Sequence, residues 1–174
     1  MAWSIVGNVP TMLRRSRTSK VKVTWNEEKS LIVVRWIIVI GYISFIFWFA
    51  RSTTSSASSM TSYLLRWFPF LQQVGIQTVV YYLRKAIHVG GYFVAALLLY
   101  AAASVTPRMK KAPYFTAFGL SVALAVCDEW YQLSLPHRTG NPADVLVDLI
   151  GIALALIGIR LLNRRRIKEK ASAN

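Results

Sequence analysis

Four mostly apolar stretches divide the chain, and each is as long as a membrane-spanning helix. An α-helix needs roughly 17 to 25 residues to cross the hydrocarbon core of a bilayer. This length is reached by residues 31–50, 85–104, 114–132 and 144–162. Hydrophobic residues make up 55% of the sequence and charged residues only 16%, a composition typical of membrane proteins. The pattern predicts an all-α integral membrane protein with four transmembrane helices.

The segment between the first two predicted spans divides into two parts of different composition. Residues 52–62 contain nine Ser or Thr in eleven positions, which indicates a flexible external linker that cannot form a core. Residues 63–83 are rich in aromatic side chains and are interrupted by Pro69 and Gly75. This stretch suits the headgroup region, as an interfacial amphipathic helix or a re-entrant segment. A fifth span is the alternative, but it would move the basic N-terminus across the membrane.

Lysine and arginine residues predict how the spans are oriented. An even number of spans places residues 1–30, the middle loop and residues 163–174 on one side, which carries fourteen Lys or Arg against five on the other. The positive-inside rule therefore puts both termini in the cytoplasm. The net charge of +14 then reflects topology and attraction to anionic membrane lipids. Nucleic-acid binding is not expected, because the basic residues are divided among three separate segments.

The acidic residues are concentrated at one place in this topology. Four of the seven Asp and Glu residues fall within 21 positions: Asp128, Glu129, Asp144 and Asp148. They lie at the outer ends of the third and fourth predicted spans, on either side of a short loop. Carboxylates at such positions cost stability and are usually functional, so they indicate a site.

Helical spacing directs further polar side chains toward these acids. Lys85, His88 and Tyr92 follow i, i+3 and i+7 at the outer end of the second predicted span, so they share one helix face. Gln132 lies one turn after the first acid of the third span. Arg138, in the next loop, is close enough in sequence to bind a carboxylate through its guanidinium fork. We therefore expect one shared polar site.

These residues form two spaced motifs that resemble those of the VanZ-like family. The first motif, Lys-x-x-His-x-x-x-Tyr, runs from Lys85 to Tyr92. The second reads Asp-Glu-x-x-Gln, five residues, Arg, five residues, Asp-x-x-x-Asp-x-x-Gly, and it runs from Asp128 to Gly151. The resemblance covers roughly residues 84–162, a core with three of the predicted spans.

The resemblance implies a small protein of the bacterial cytoplasmic membrane. The founding member of the family is associated with low-level resistance to the lipoglycopeptide teicoplanin, and most members have no assigned chemistry. The chain departs from the family pattern at Tyr131, where members often have His, and at His137, where they often have Gly. The second change makes the loop's turn harder to predict, since glycine adopts positive φ at little cost and histidine does not. The resemblance thus specifies a site rather than a reaction.

The site residues favour two functions of different classes. The first is binding of an antibiotic or an envelope lipid in the outer leaflet. The ligand-binding residues are then Lys85, Tyr92, Gln132, Arg138, Asp144 and Asp148. The second is catalysis on a lipid-linked envelope component, with Asp128 and Glu129 as acid and base or as cation ligands and His88 as a proton shuttle. Clustered carboxylates would equally hold a divalent cation.

No recognised nucleophile or cofactor motif supports the catalytic alternative. The sequence has no Gly-x-Ser-x-Gly elbow, no His-Glu-x-x-His zinc helix and no Gly-rich phosphate loop. A purely structural interpretation also competes, because intramembrane charges usually pair. In that interpretation the acids form an ion-pair network with Lys85, His88 and Arg138 that locks the helices, and Tyr92 is a core aromatic.

Two further features concern packing rather than chemistry. Cys127 is the only cysteine, and we expect it to be a small apolar residue outside the site. On the fourth predicted span, Gly151 and Gly158 belong to a stripe of small residues that continues the face bearing the acids. Such a stripe predicts close approach of helix backbones, which would bring the polar helix ends together.

Overall fold

The chain is helical wherever its structure is described. The computed structural model describes residues 25–136 and 141–173, and every regular element within them is a helix. These residues form α1 Trp25–Arg51, α2 Ala57–Trp67, α3 Leu71–Val74, α4 Ile76–Ala103, α5 Pro113–Leu133 and α6 Pro142–Ser172. A short 3-10 turn, Thr53–Ser55, joins α1 to α2. The predicted all-α class is confirmed for this part of the chain.

Three of the described helices are long and apolar enough to cross a membrane. They are α1 from Glu27, α4, and α6 from Ala143, with 25, 28 and 30 residues. At about 1.5 Å per residue, each exceeds the roughly 30 Å of a hydrocarbon core. α5 has 21 residues and is not one of these three, and it carries Asp128, Glu129 and Gln132 near its end. The third predicted span is therefore a helix, and its crossing of the membrane stays a prediction.

Several helices extend beyond the predicted spans. α4 begins at Ile76, well before the predicted start at residue 85, and α6 continues to Ser172 through most of the predicted basic tail. Gly75, which precedes α4, has a φ of 89°, a left-handed conformation that glycine adopts without strain. Lys85 and His88 consequently lie inside α4, about two to three turns after its start, rather than at its end.

The Ser/Thr-rich segment forms a helix where a flexible linker was predicted. The side-chain oxygen of Ser56 caps α2 by accepting a hydrogen bond from the backbone N–H of Ser59 at 3.3 Å, which satisfies a donor of the first turn. Thr61 and Ser62 donate their hydroxyl protons to carbonyls one turn earlier, so these polar residues are compatible with a helix. Ser55 is buried, and α2 packs against α4. The segment is therefore helical and lies against the bundle.

The aromatic segment, residues 63–83, is divided among the end of α2, the short α3 and the first turns of α4. α2 has 11 residues and α3 has four, whereas a membrane span needs roughly 17 to 25. The alternative of a fifth span at residues 63–83 has no separate helix of that length, because α2 ends at Trp67 and the residues from Ile76 onward belong to α4. Trp67, Phe68 and Phe70 are exposed, and their predicted place in the membrane interface stays a prediction.

α4 forms the centre of the bundle and packs against α1, α5 and α6. The main core cluster consists mostly of small side chains: Tyr92, Ala95, Ala96, Leu124, Ala125, Ile152 and Ala155. The helices approach most closely at Gly151, where a Cβ would lie 2.2 Å from the carbonyl oxygen of Val89. Close packing at Gly151 is thus confirmed. A Cβ at Gly158 would meet nothing within 4 Å, so the tight contact does not extend that far.

Hydrogen bonds tie the helices together at the end of the bundle that contains the C-terminal end of α4. Arg35 donates to a backbone carbonyl of α4, and Trp36 donates its indole N–H to Thr106 Oγ1 at 3.0 Å. Asn163 Nδ2 donates to the Tyr114 hydroxyl at 3.0 Å. These bonds stabilise the packing of the long helices at this end of the bundle. The acidic residues Asp128, Glu129, Asp144 and Asp148 lie in the other half.

Candidate functional site

The predicted polar residues converge between α4, α5 and α6. The structure brings together eight side chains, which we call the site cluster: Lys85, His88, Tyr92, Asp128, Glu129, Gln132, Asp144 and Asp148. The acids of this cluster are buried, and Asp148 is only 1% exposed. Buried carboxylates are costly unless they are paired or hydrogen-bonded. Their partners therefore decide what each one can do.

Asp128 is held by two neutral donors. The hydroxyl of Tyr92 donates to its Oδ2 at 3.1 Å, and Nε2 of Gln132 donates to the same oxygen at 3.0 Å. Neutral donors orient a carboxylate without cancelling its charge. The other oxygen, Oδ1, is buried and has no hydrogen-bond partner among the described residues. Asp128 therefore offers one fixed acceptor to a ligand or a proton.

His88 and Asp148 form a pair between α4 and α6. Nδ1 of His88 lies 3.1 Å from Oδ1 of Asp148. When Nδ1 carries the proton, it donates to Asp148 and leaves Nε2 as an acceptor. His88 also lines both cavities described below. The pair thus has the arrangement of an oriented imidazole that can accept a proton.

Lys85 and Asp144 form an ion pair at the rim of the cluster. Their side chains are 20% and 12% exposed, so they are the more accessible members. The Nζ atom of Lys85 also lies 5.3 Å from the centre of the Tyr81 ring, within the range of a cation–π interaction. The charge of Lys85 is therefore already compensated. Lys85 was predicted to bind a ligand. An anionic ligand would therefore have to share the Lys85 ammonium group with Asp144.

Glu129 connects α5 to the start of α6. Its Oε1 accepts a hydrogen bond from the backbone N–H of Asn141. The Asn141 side chain in turn caps α6 by accepting from the backbone N–H of Ala143 at 3.1 Å. Oε2 of Glu129 is buried without a hydrogen-bond partner in the described part. Glu129 thus positions the helix that carries Asp148 and keeps one acceptor oxygen.

Two predicted loop residues, His137 and Arg138, lie outside the described residues. The expected contact between Arg138 and a carboxylate therefore stays a prediction. Cys127 is described and is exposed, and it lines neither of the two cavities described below.

The acids are divided among separate partners rather than directed at one point. Within residues 25–136 and 141–173, no group of three His, Cys, Asp or Glu side chains is arranged to hold a metal ion. Asp128 bonds to Tyr92, Asp148 to His88 and Asp144 to the nearby lysine. Each of these three acids therefore has a hydrogen-bonding or ion-pair partner of its own.

An apolar cavity of about 250 Å³ adjoins the site cluster. Its polar wall includes His88, Tyr92, Asp128 and Gln132. Its apolar wall comes from α1, α2 and α4 and includes Phe45, Ile46, Phe49, Met60 and Ile87. One space therefore presents an apolar side and a hydrogen-bonding side to the same occupant.

A second cavity of about 150 Å³ has a more polar lining that includes Lys85, Asn141 and Asp144. Arg84 and His88 line both cavities. The Nε atom of Arg84 is buried without a hydrogen-bond partner among the residues that the structure describes. Arg84 is not among the site residues predicted from the sequence, although it lies one turn before His88 at i+4 spacing. That spacing is the signal that could have identified it.

Comparison with known proteins identifies the family. No curated protein and no solved structure matches the chain. The family model described as VanZ/LLP1 matches residues 32–163. The resemblance based on the two motifs is confirmed, and the match also includes most of α1 and all of α2, which precede both motifs. The chain belongs to the VanZ/LLP1 family.

Proposed function

We propose that the protein crosses the bacterial cytoplasmic membrane four times, with both termini in the cytoplasm and the site cluster in the outer half of the bilayer. The distribution of fourteen Lys or Arg against five supports this orientation. α5 would be a span in addition to α1, α4 and α6, because its 21 residues extend about 30 Å at 1.5 Å per residue. Its acids would then be sheltered by α4 and α6, against which it packs.

We propose that the site binds an amphiphile of the bacterial envelope. The main observation that supports this proposal is the cavity of about 250 Å³, in which an apolar wall faces hydrogen-bonding groups of the site cluster. A chain would pack against Phe45, Phe49 and Ile87, and hydrogen-bond donors of a polar head would reach Asp128 and His88. Ligands of this kind include a lipid-linked cell-wall precursor, another envelope lipid and a teicoplanin-type lipoglycopeptide.

The cavity size favours partial enclosure of such a ligand. Pockets that enclose a drug-sized molecule measure about 300 to 1,000 Å³, and this cavity measures about 250 Å³. It would therefore hold an acyl chain and the adjoining polar group, while the rest of a large glycopeptide stays outside. Binding of the acyl chain would retain the antibiotic at the membrane and lower its access to its target, which gives a route to resistance.

The test compares an acylated glycopeptide with one that lacks an acyl chain. In cells that express the wild-type protein, we expect the minimal inhibitory concentration to rise for teicoplanin and to stay unchanged for the chain-free glycopeptide. Asp128→Asn should abolish the rise at normal membrane abundance, because the amide presents a donor where the carboxylate accepts. Cys127→Ser is the matched control on the same helix. Equal protection against both antibiotics would contradict chain binding.

Catalysis on a lipid-linked envelope component is the second candidate function. The observation that favours it is the His88–Asp148 pair, in which the acid orients the imidazole at 3.1 Å. A substrate hydroxyl or water would lose its proton to Nε2 of His88. Asp128 and Glu129 would act as acid and base, and Lys85 and Arg138 would bind an anionic head group.

Lipid profiles distinguish the two candidates. If the protein is an enzyme, envelope lipids and cell-wall precursors should differ between wild-type cells and cells with Asp148→Asn. This substitution would misorient the imidazole of His88. A binding protein predicts unchanged profiles for both. A change that also occurs with the control Cys127→Ser would exclude the site cluster as its source.

A further inference from the structure

Arg84 lies where the two cavities meet, and its charge lacks a partner in the described part of the chain. It lines both the apolar and the polar cavity, and its Nε is buried without a hydrogen-bond partner among those residues. Two of the site acids have other cationic partners, since Asp144 pairs with Lys85 and Asp148 with His88. Asp128 lines the apolar cavity but bonds to neutral donors. A partly buried guanidinium in this setting is stabilised by an anion that brings its own hydrogen-bond acceptors.

We propose that Arg84 binds the phosphate of an amphiphile whose hydrocarbon chain occupies the apolar cavity. This inference rests on the proposed amphiphile-binding function and specifies its ligand class as an alkyl or prenyl phosphate. The planar guanidinium donates two parallel N–H bonds to phosphate oxygens, which a lysine cannot do. Lys85 is the neighbouring cation, but its charge is compensated by its partner acid. Arg84 is therefore the principal phosphate contact.

The positions of the cavity walls place the head group and the chain. Ile87 follows Arg84 at i+3 on α4 and also lines the apolar cavity, so apolar contact begins next to the guanidinium. Phe45 and Phe49 lie one turn apart on α1 and extend the apolar wall. The carboxylate of Asp128 faces the same cavity and repels a phosphate. The phosphate therefore lies toward the polar cavity and the chain toward α1.

The experiment measures binding of three probes to the full-length protein in peptidiscs by calorimetry. The probes are dodecyl phosphate, dodecyl glucoside and inorganic phosphate. We expect wild type to bind dodecyl phosphate about tenfold or more tighter than the glucoside, as a charge-assisted hydrogen bond provides. Inorganic phosphate should bind far more weakly, because it lacks the chain. This comparison separates a lipid phosphate from a free one.

Variants assign the effect to residues. Arg84→Gln should weaken dodecyl phosphate to the level of the glucoside, and Arg84→Lys should weaken it less, since charge remains without the fork. Met60→Trp should weaken both alkyl probes, because it fills the apolar cavity. The control Arg66→Gln removes an exposed arginine from α2 and should change nothing.

The outcomes distinguish this inference from the function on which it rests. If Arg84→Gln binds dodecyl phosphate as tightly as wild type while Met60→Trp weakens both alkyl probes, the phosphate assignment is wrong and amphiphile binding stands. If wild type prefers the glucoside or inorganic phosphate, the assigned ligand class is wrong. If no alkyl probe binds, both proposals fail.

Discussion

Replacing Gly151 with alanine would put a methyl group into the contact between α6 and α4. The Cβ would lie 2.2 Å from the carbonyl oxygen of Val89 and 3.0 Å from the backbone nitrogen of Phe93. Both neighbours belong to the backbone of α4, so they cannot rotate away as the end of a side chain would. The methyl group can fit only if α6 moves away from α4 or bends.

The size of this effect follows from the distances. Ordinary van der Waals contact begins at 3.4 Å, so relief requires a shift of about 1 Å. Overpacking of this kind costs about 1 to 3 kcal/mol. Asp148 lies one turn before Gly151, and His88 directly precedes Val89. The shift should therefore also lengthen the 3.1 Å contact between His88 Nδ1 and Asp148 Oδ1 beyond the range of a good hydrogen bond.

Thermal unfolding of the purified protein, followed by intrinsic fluorescence, measures the first effect. For a chain of this size, 1 to 3 kcal/mol corresponds to a fall in Tm of roughly 3 to 10 °C. Binding of dodecyl phosphate measures the second effect and should weaken in parallel. Gly158→Ala is the matched control on α6, because a Cβ there meets nothing within 4 Å and alanine favours a helix. Equal Tm values for the two variants would refute the close contact.

Three further predictions concern single contacts. Tyr92→Phe removes a hydrogen bond to the buried carboxylate of α5 and should cost about 1 to 2 kcal/mol, measured as a lower Tm; a wild-type Tm would contradict that bond. Lys85→Met and Asp144→Asn should each lower the Tm, and a double-mutant cycle should give a coupling of about 1 kcal/mol. Strictly additive effects would exclude the ion pair. Trp36→Phe should cost about 1 kcal/mol at the opposite end of the bundle without changing dodecyl phosphate binding, and weaker binding would show that the two ends are coupled.

Spacing along single helices was enough to predict which side chains share a face. Lys85, His88 and Tyr92 recur at helical intervals in the sequence, and the structure gives each of them an acidic partner. The apolar runs likewise predicted helices at all four places, because their length and composition are local properties. The small residue Gly151 also marked the face of close packing, since only a residue without a Cβ fits there.

Contacts between helices could not be predicted in the same way. Which acid bonds to His88 depends on the register of α6 against α4, and that register is set by the fit at Gly151. The start of α4 was predicted at residue 85 because the mostly apolar run begins there. The helix starts nine residues earlier, directly after Gly75, which has a positive φ. Arg84 was counted only as a basic residue for topology. Its position between two cavities depends on α1 and α2, which carry none of the site motifs.

A purely structural network accounts for only half of the carboxylate oxygens at issue. Asp128, Glu129 and Asp148 each use one oxygen in a contact that joins or orients helices. The second oxygen of each is buried without a hydrogen-bond partner among the described residues. An unsatisfied buried acceptor costs about 1 to 3 kcal/mol, and more when it is charged. Helix packing gains nothing from these unpaired oxygens. Each is nevertheless held in a fixed position, because the other oxygen of the same carboxylate is hydrogen-bonded. The same pairs that stabilise the bundle therefore orient acceptors for a ligand beside the cavity.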